Sequence, residues 1–137
     1  MGFEVFVQCF GETLHSGISR DAVRSLFPIV QAESKPGLWR VRYDPENSCL
    51  LYVSSLGSTP QRLKSLCVER PCGDLRLWEA LLAILRMGSI VIFWPGGPSV
   101  VSDDAIAANL PADVTAALGP AKSMRSAEEL LRAVQEF

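Results

Sequence analysis

Five large apolar residues in a row, Ile90-Val91-Ile92-Phe93-Trp94, constrain this chain more than any other stretch. A strand with one wet face alternates polar and apolar residues. A run without alternation is typical of a strand covered on both faces. The strongest helical stripe lies just before it. Leu75, Leu77, Trp78, Leu81, Leu82, Ile84 and Leu85 fall on one side, with Arg76, Glu79 and Arg86 outside it. Asp74 is placed to cap this helix, and Gly88 to end it.

The rest of the chain supplies the remaining layers. Phe3 to Phe10 alternates, with Phe3, Val5, Val7 and Cys9 on one face and Glu4, Phe6, Gln8 and Phe10 on the other. Period two with branched and aromatic residues predicts a strand, and the polar members of the second face predict partial cover. Gly11 to Gly17 reads as a loop. Ser19 is the N-cap of a short helix that Pro28 ends. Ser34-Lys35-Pro36-Gly37 is another loop. Residues 38–43 and 49–54 form a hairpin around Asp44-Pro45-Glu46-Asn47, where Asp starts the turn and Pro sets φ. The polar stretch Leu56 to Gln61 leads into a strand over 63–70, which continues the meander.

From that strand, a helix over 75–87 and a strand over 89–94 have the length for a parallel crossover. Pro95-Gly96-Gly97-Pro98 turns the chain into a short strand at 99–101. Helices follow: one from Ala105 to Asn109, one from Pro111 to Leu118, and one from Ala127 to about Glu136. Ser126 and Glu129 form a capping box at the start of the last. The expected class is α+β, with a mixed, mostly antiparallel sheet and helices packed on it. Residues 1–137 are expected to form a single domain, since the chain has no linker, repeat or low-complexity stretch.

Composition excludes several classes. Hydrophobic residues are 48% and charged residues 20%, which is not the pattern of a disordered chain. A net charge of −2 supplies no cationic excess for nucleic acid or anionic lipid. The longest apolar runs, Ala80 to Leu85 and Ile90 to Trp94, are far short of the ~20 residues of a membrane-spanning helix. Met1-Gly2-Phe3-Glu4 lacks the basic and apolar stretch of a secretory leader, so the expected location is the cytoplasm. The four cysteines include no Cys-x-x-Cys, and His15 is the one histidine. That set does not build a structural zinc site, and no cofactor is expected. The cysteines read as small apolar residues packed in strands.

The residues that could carry chemistry are few. His15 sits in a predicted loop, where a solvated side chain explains it as well as a catalytic one. Cys72 precedes a helix N-terminus, which favours the thiolate; the competing explanation is a tight Pro-Cys-Gly-Asp turn. Trp94-Pro95-Gly96-Gly97-Pro98 follows a buried strand but fits no phosphate-loop pattern, and its prolines lack the donors an anion needs. Arg40 and Arg42 share a strand face, with Lys64 as a third basic residue. Three cations on a net-negative chain favour a solvated sheet face over a nucleic-acid surface.

Charge distribution says more. Residues 1–68 carry 7 basic and 6 acidic groups, and residues 69–137 carry 6 and 9. No Lys or Arg lies between Arg86 and Lys122, whereas Asp103, Asp104 and Asp113 do. Such a stretch fits a basic partner and speeds its capture. Helix capping accounts for the same carboxylates, and one carboxylate can do both.

Arg70-Pro71-Cys72-Gly73-Asp74, Leu77-Trp78, Trp94-Pro95-Gly96-Gly97, Leu110-Pro111 and Leu118-Gly119 resemble the turns and buried strand of a group of small bacterial proteins. These are associated with immunity beside polymorphic or contact-dependent growth inhibition toxins. The resemblance spans about residues 3–135. It implies a protein that neutralises a cognate toxin domain by binding it in the cytosol; the scarcity of acid–base residues makes the expected role non-enzymatic and free of a cofactor, and the acidic stretch fits a basic surface on the toxin. The resemblance transfers no binding residue. The partner-binding candidates therefore rest on charge: Asp103 and Asp104 first, then Asp44 and Glu46 at the hairpin tip. Two other readings stand beside this one. The first is a small enzyme with a Cys72 nucleophile and His15. The second is a structural or oligomerising subunit that uses the Phe6/Phe10 or Trp39/Tyr43 face.

Overall fold

The computed structural model describes residues 3–31 and 35–136; the Met1-Gly2 start and Ser34 of the predicted loop lie outside them. The strands are β1 (Glu4–Cys9), β2 (Ile18–Ser19), β3 (Ile29–Gln31), β4 (Leu38–Asp44), β5 (Asn47–Leu56), β6 (Thr59–Glu69), β7 (Ile90–Phe93), β8 (Ser99–Val101) and β9 (Ala121–Ser123). The helices are α1 (Gly11–Ser16), α2 (Arg20–Arg24), α3 (Leu75–Leu85), α4 (Asp104–Ala108), α5 (Ala112–Leu118) and α6 (Ala127–Gln135). All nine strands join one sheet in the order β3-β4-β5-β6-β1-β7-β8-β9, with β2 paired to β6 beside that path. Every pairing is antiparallel except β8 with β9. This is the expected α+β class.

The alternation in β1 decides where the core lies. Val5 and Val7 stand opposite Val68 and Leu66 of β6, and Val7 and Cys9 opposite Ile92 and Ile90 of β7. Trp39 and Val41 of β4 extend this face through Leu51 and Cys49 of β5. Helix α3 buries Leu77, Trp78, Leu81, Ile84 and Leu85 in the same cluster, with Ala127, Leu130 and Val134 of α6 and Val23 of α2. The opposite face carries a smaller core. Phe10, Val91 and Val101 are buried there beneath Ile106, Ala107, Leu110 and Leu118. Strand β7 thus feeds both cores, Ile90 and Ile92 one side and Val91 the other, as its unbroken apolar run requires.

The expected crossover is present with one modification. β6 and β7 are both antiparallel to β1 and so parallel to each other, with β1 between them. Helix α3 carries the chain over that inserted strand. The expected Ser126–Glu129 cap forms in part: the Glu129 amide donates to Ser126 Oγ at 3.2 Å, and Glu129 Oε1 accepts at 3.3 Å from the Ser126 hydroxyl in place of its backbone amide.

Four local expectations are corrected. Gly11–Ser16 is a helical turn and not a loop. The helix after Ser19 stops at Arg24, short of Phe27, and residues 29–31 pair with β4. The polar stretch 56–61 is a tight hairpin in which Leu56 pairs with Thr59. A parallel edge strand, β9, lies where only a link between helices was expected. Cys72 also departs from the packed-in-a-strand reading of the cysteines, since it lies in the turn before α3.

Gly97 closes the turn between β7 and β8, its amide donating to the Trp94 carbonyl at 3.0 Å. A Cβ at this position would fall on the Trp94 indole, which is 2% exposed. Gly97→Ala must therefore displace a buried aromatic ring. We expect a loss of roughly 2–4 kcal/mol in urea unfolding, within the range of overpacked or disrupted core sites. A variant as stable as the parent would show that the ring does not pack on Gly97.

Candidate functional site

The carboxylates singled out in the sequence separate onto two ends of α3. Beyond its C-terminal end, the chain returns through Gly88 and Ser89, and α1 packs on that turn. The Ser89 amide donates to Thr13 Oγ1 at 2.9 Å, and the Phe10 amide donates to the Ser89 carbonyl at 3.0 Å. A Cβ on Gly88 would lie 2.7 Å from Thr13 Oγ1, so the absent side chain is what lets α1 sit so close. This contact holds Glu12 at the rim of a groove of about 500 Å³, whose opposite wall includes Ser102, Asp103 and Ile106. Arg86 lines the same groove and donates to the Arg125 carbonyl at 2.7 Å.

Asp103 and Asp104 each have a structural task. Asp103 caps α4, its Oδ1 accepting from the Ile106 amide at 2.9 Å. Asp104 accepts from Ser123 Oγ at 2.7 Å and so ties α4 to β9. Both side chains remain exposed, as do Glu12 and Asp113. A cap bond satisfies one oxygen and leaves the charge in place. Capping and partner recognition are therefore compatible at this end.

Beside the acidic groove lies an apolar one of about 420 Å³ between α1 and α5. Phe10, Leu14, Phe93, Val114 and Leu118 line it, with Asp113 among them. It forms because the helices on this face reach only as far as Phe10, Val91 and Val101. Past them the sheet carries the stacked Phe6 and Phe93 rings at 5.2 Å, and Tyr52. The Tyr52 hydroxyl is hydrogen-bonded to Glu69, which pushes its pKa up. Cys67 Sγ donates to Glu4 Oε2 at 3.3 Å. Burial, with that carboxylate second, raises the Cys67 thiol to about 12.

The second-choice pair lies at the other end. Asp44 is used by its own turn: Oδ1 accepts from the amides of Glu46 and Asn47, both at 2.9 Å, and the Asn47 side chain donates to both oxygens. The bond from the Asn47 side chain, followed by that from the Glu46 amide, holds the carboxyl below the usual range. Glu46 is exposed. Asp44 and Glu46 thus do not share a surface with Asp103 and Asp104.

Nor does the structure join Cys72 to His15. Cys72 precedes the first residue of α3, and its carbonyl accepts from Trp78 Nε1 at 3.0 Å. His15 lies in α1, against the far end of the same helix. Helix α3, about 16 Å long for 11 residues at 1.5 Å per residue, runs between the two ends where they lie. Trp39 and Phe10 are both buried, so each of the two suggested contact faces keeps one half-buried ring near the surface, Tyr43 in one and Phe6 in the other. Among the described residues, no group of three or more His, Cys, Asp and Glu side chains is arranged to hold a metal ion. No helix among them is long and apolar enough to cross a membrane.

The grooves at the α1 end were not legible in the sequence. Glu12 is brought to Asp103 by a helical turn that read as a loop, and the usable signal was the pairing of Thr13 with Gly88. The chain matches no family model, no curated protein and no solved structure.

Thr13→Val keeps the bulk of the side chain and removes the hydroxyl acceptor. It should cost about 1 kcal/mol and leave the Ser89 amide without its partner. Hydrogen exchange should then speed up at Ser89 and across residues 11–16. Unchanged protection at Ser89 would mean that the Thr13 bond does not hold α1.

Proposed function

We propose that this chain is a non-enzymatic binding module of the immunity type, which neutralises a cognate toxin domain by holding a basic, apolar-tipped part of it at the α1–α4–α5 end. One observation carries the reading. Glu12 and Asp103 face one groove, and an apolar groove flanked by Asp113 opens next to it. Carboxylates in one groove and an apolar slot with Asp113 beside it suit a partner that presents Lys or Arg next to a large apolar side chain. Long-range attraction speeds the encounter, and apolar burial then slows release. Such inhibition works by occlusion and needs neither cofactor nor reaction. The cytoplasm is the compartment in which it would act.

The resemblance to toxin-linked immunity proteins supplies the partner class, and the charge pattern supplies the surface. The separation of Cys72 from His15 weighs against the enzymatic alternative, because a base at the other end of α3 is beyond hydrogen-bond reach of the thiol.

The test keeps the caps intact. Asp103→Asn preserves a good N-cap while removing its charge, and Glu12→Gln removes the charge across the groove. The partner is the C-terminal domain of a secreted protein encoded beside this chain's gene. The double variant should associate roughly tenfold more slowly at low salt, with a shallower salt dependence and little change in folding stability. Glu46→Gln, at the other end, should leave association unchanged. Equal rates for parent and double variant would reject this surface; no binding of the parent to that domain would reject the toxin reading.

A further inference from the structure

Cys49 and Cys72 are brought together by a backbone feature that has no part in the proposed binding surface. In the register of β5 with β6, Leu50 stands opposite Glu69, so Cys49 lies level with Arg70. Arg70 has φ +53°, the left-handed region that a residue with a Cβ adopts at a cost. That conformation ends β6 and folds Pro71, which is buried, back over the core face. Cys49 points to this face and is 5% exposed. Cys72 follows Pro71, is half-buried, and packs against the same cluster. Its position is fixed from the other side by the Trp78 indole bond to its carbonyl and by Asp74, which caps α3 through the Arg76 amide at 2.9 Å. The two thiols are neighbours on this face, close enough for each to shift the other's titration.

We propose that Cys49 and Cys72 form a dithiol modification site that small-molecule disulfides oxidise to an internal disulfide, tying β5 to the turn before α3. The inference is independent of the partner reading. The interaction with Cys49 lowers the Cys72 thiol, and the same interaction, with burial, pushes Cys49 up. Cys72, the more exposed thiol and the one beside the start of α3, is the attacking sulfur, and the buried Cys49 is the resolving one.

With oxidised glutathione, the Cys72 thiolate attacks one sulfur and the glutathione S–S bond breaks. One glutathione thiolate leaves, and Cys72 carries a mixed disulfide. Cys49 then gives its proton to water or to the departing thiolate, and its sulfur attacks that of Cys72. The second glutathione leaves. The two protein thiols have lost two electrons and two protons, and one small disulfide has become two thiols.

The experiment uses the full chain under native conditions with oxidised glutathione at pH 7.5, followed by acid quench, alkylation in denaturant and peptide mass mapping. The untreated chain has four alkylatable cysteines. The expected product retains two, Cys9 and Cys67, with the peptides of Cys49 and Cys72 linked and the chain monomeric. Cys49→Ala should stop at the glutathione adduct on Cys72. Four alkylatable thiols after treatment would overturn the proposal. So would a link through Cys67 between two chains, or the same glutathione adduct on parent and Cys49→Ala. The parent result decides the matter even if the variant folds poorly.

Discussion

The burial of α3 against the core face of the sheet is the contact on which the other features depend. Seven of its eleven residues are buried, Trp78 among them. At about 1.5–3 kcal/mol for each large apolar side chain, this helix accounts for on the order of 10 kcal/mol of hydrophobic stabilisation before chain entropy is set against it. It also carries the chain from the end of β6 to the start of β7. Its N-terminal end anchors the Cys72 turn through Trp78, and the Gly88-Ser89 turn beyond its C-terminal end receives Thr13 of α1. The thiol pair and the acidic groove are thus held apart by a rigid spacer and can act independently.

Strand β1 is the second constraint. It lies between two strands that are about 60 and 85 residues later in the chain, with Phe6 facing Cys67 on one side and Phe93 on the other. No local pattern identifies such partners, because pairing is chosen by the closing of two long loops. The alternation of Val5, Val7 and Cys9 showed that a strand existed and which face was apolar. The polar residues of its other face, Glu4 and Gln8, showed that cover there was partial. That incomplete cover leaves the apolar groove open beside α5.

Most elements with a strong local signal were therefore legible: the α3 stripe, the unbroken β7 run, the Asp44–Asn47 turn and the Ser126 cap. Those that depend on contacts distant in sequence were not. Helix α1 has no side-chain cap and no buried residue, so nothing in its own sequence marks it as helical; the fold imposes the turn through Thr13 and Ser89. Strand β9 is three residues long and exists because β8 offers it an edge. The candidate site was half legible for the same reason. The acidic run with Asp103 and Asp104 could be read directly, whereas Glu12 joins it only through tertiary packing. The pairing of Cys49 with Cys72 likewise required the left-handed turn at Arg70.

The central claim is that recognition takes place at the end of the molecule built from α1, α4 and α5. Hydrogen-exchange footprinting of the chain with and without the proposed toxin domain tests it most directly. The account predicts new protection over residues 11–16 and 104–118, with the hairpin tip at 44–47 and the open face around Phe6 and Tyr52 unchanged. Protection confined to the hairpin tip or to the open sheet face, with 104–118 exchanging as in the free protein, would contradict it.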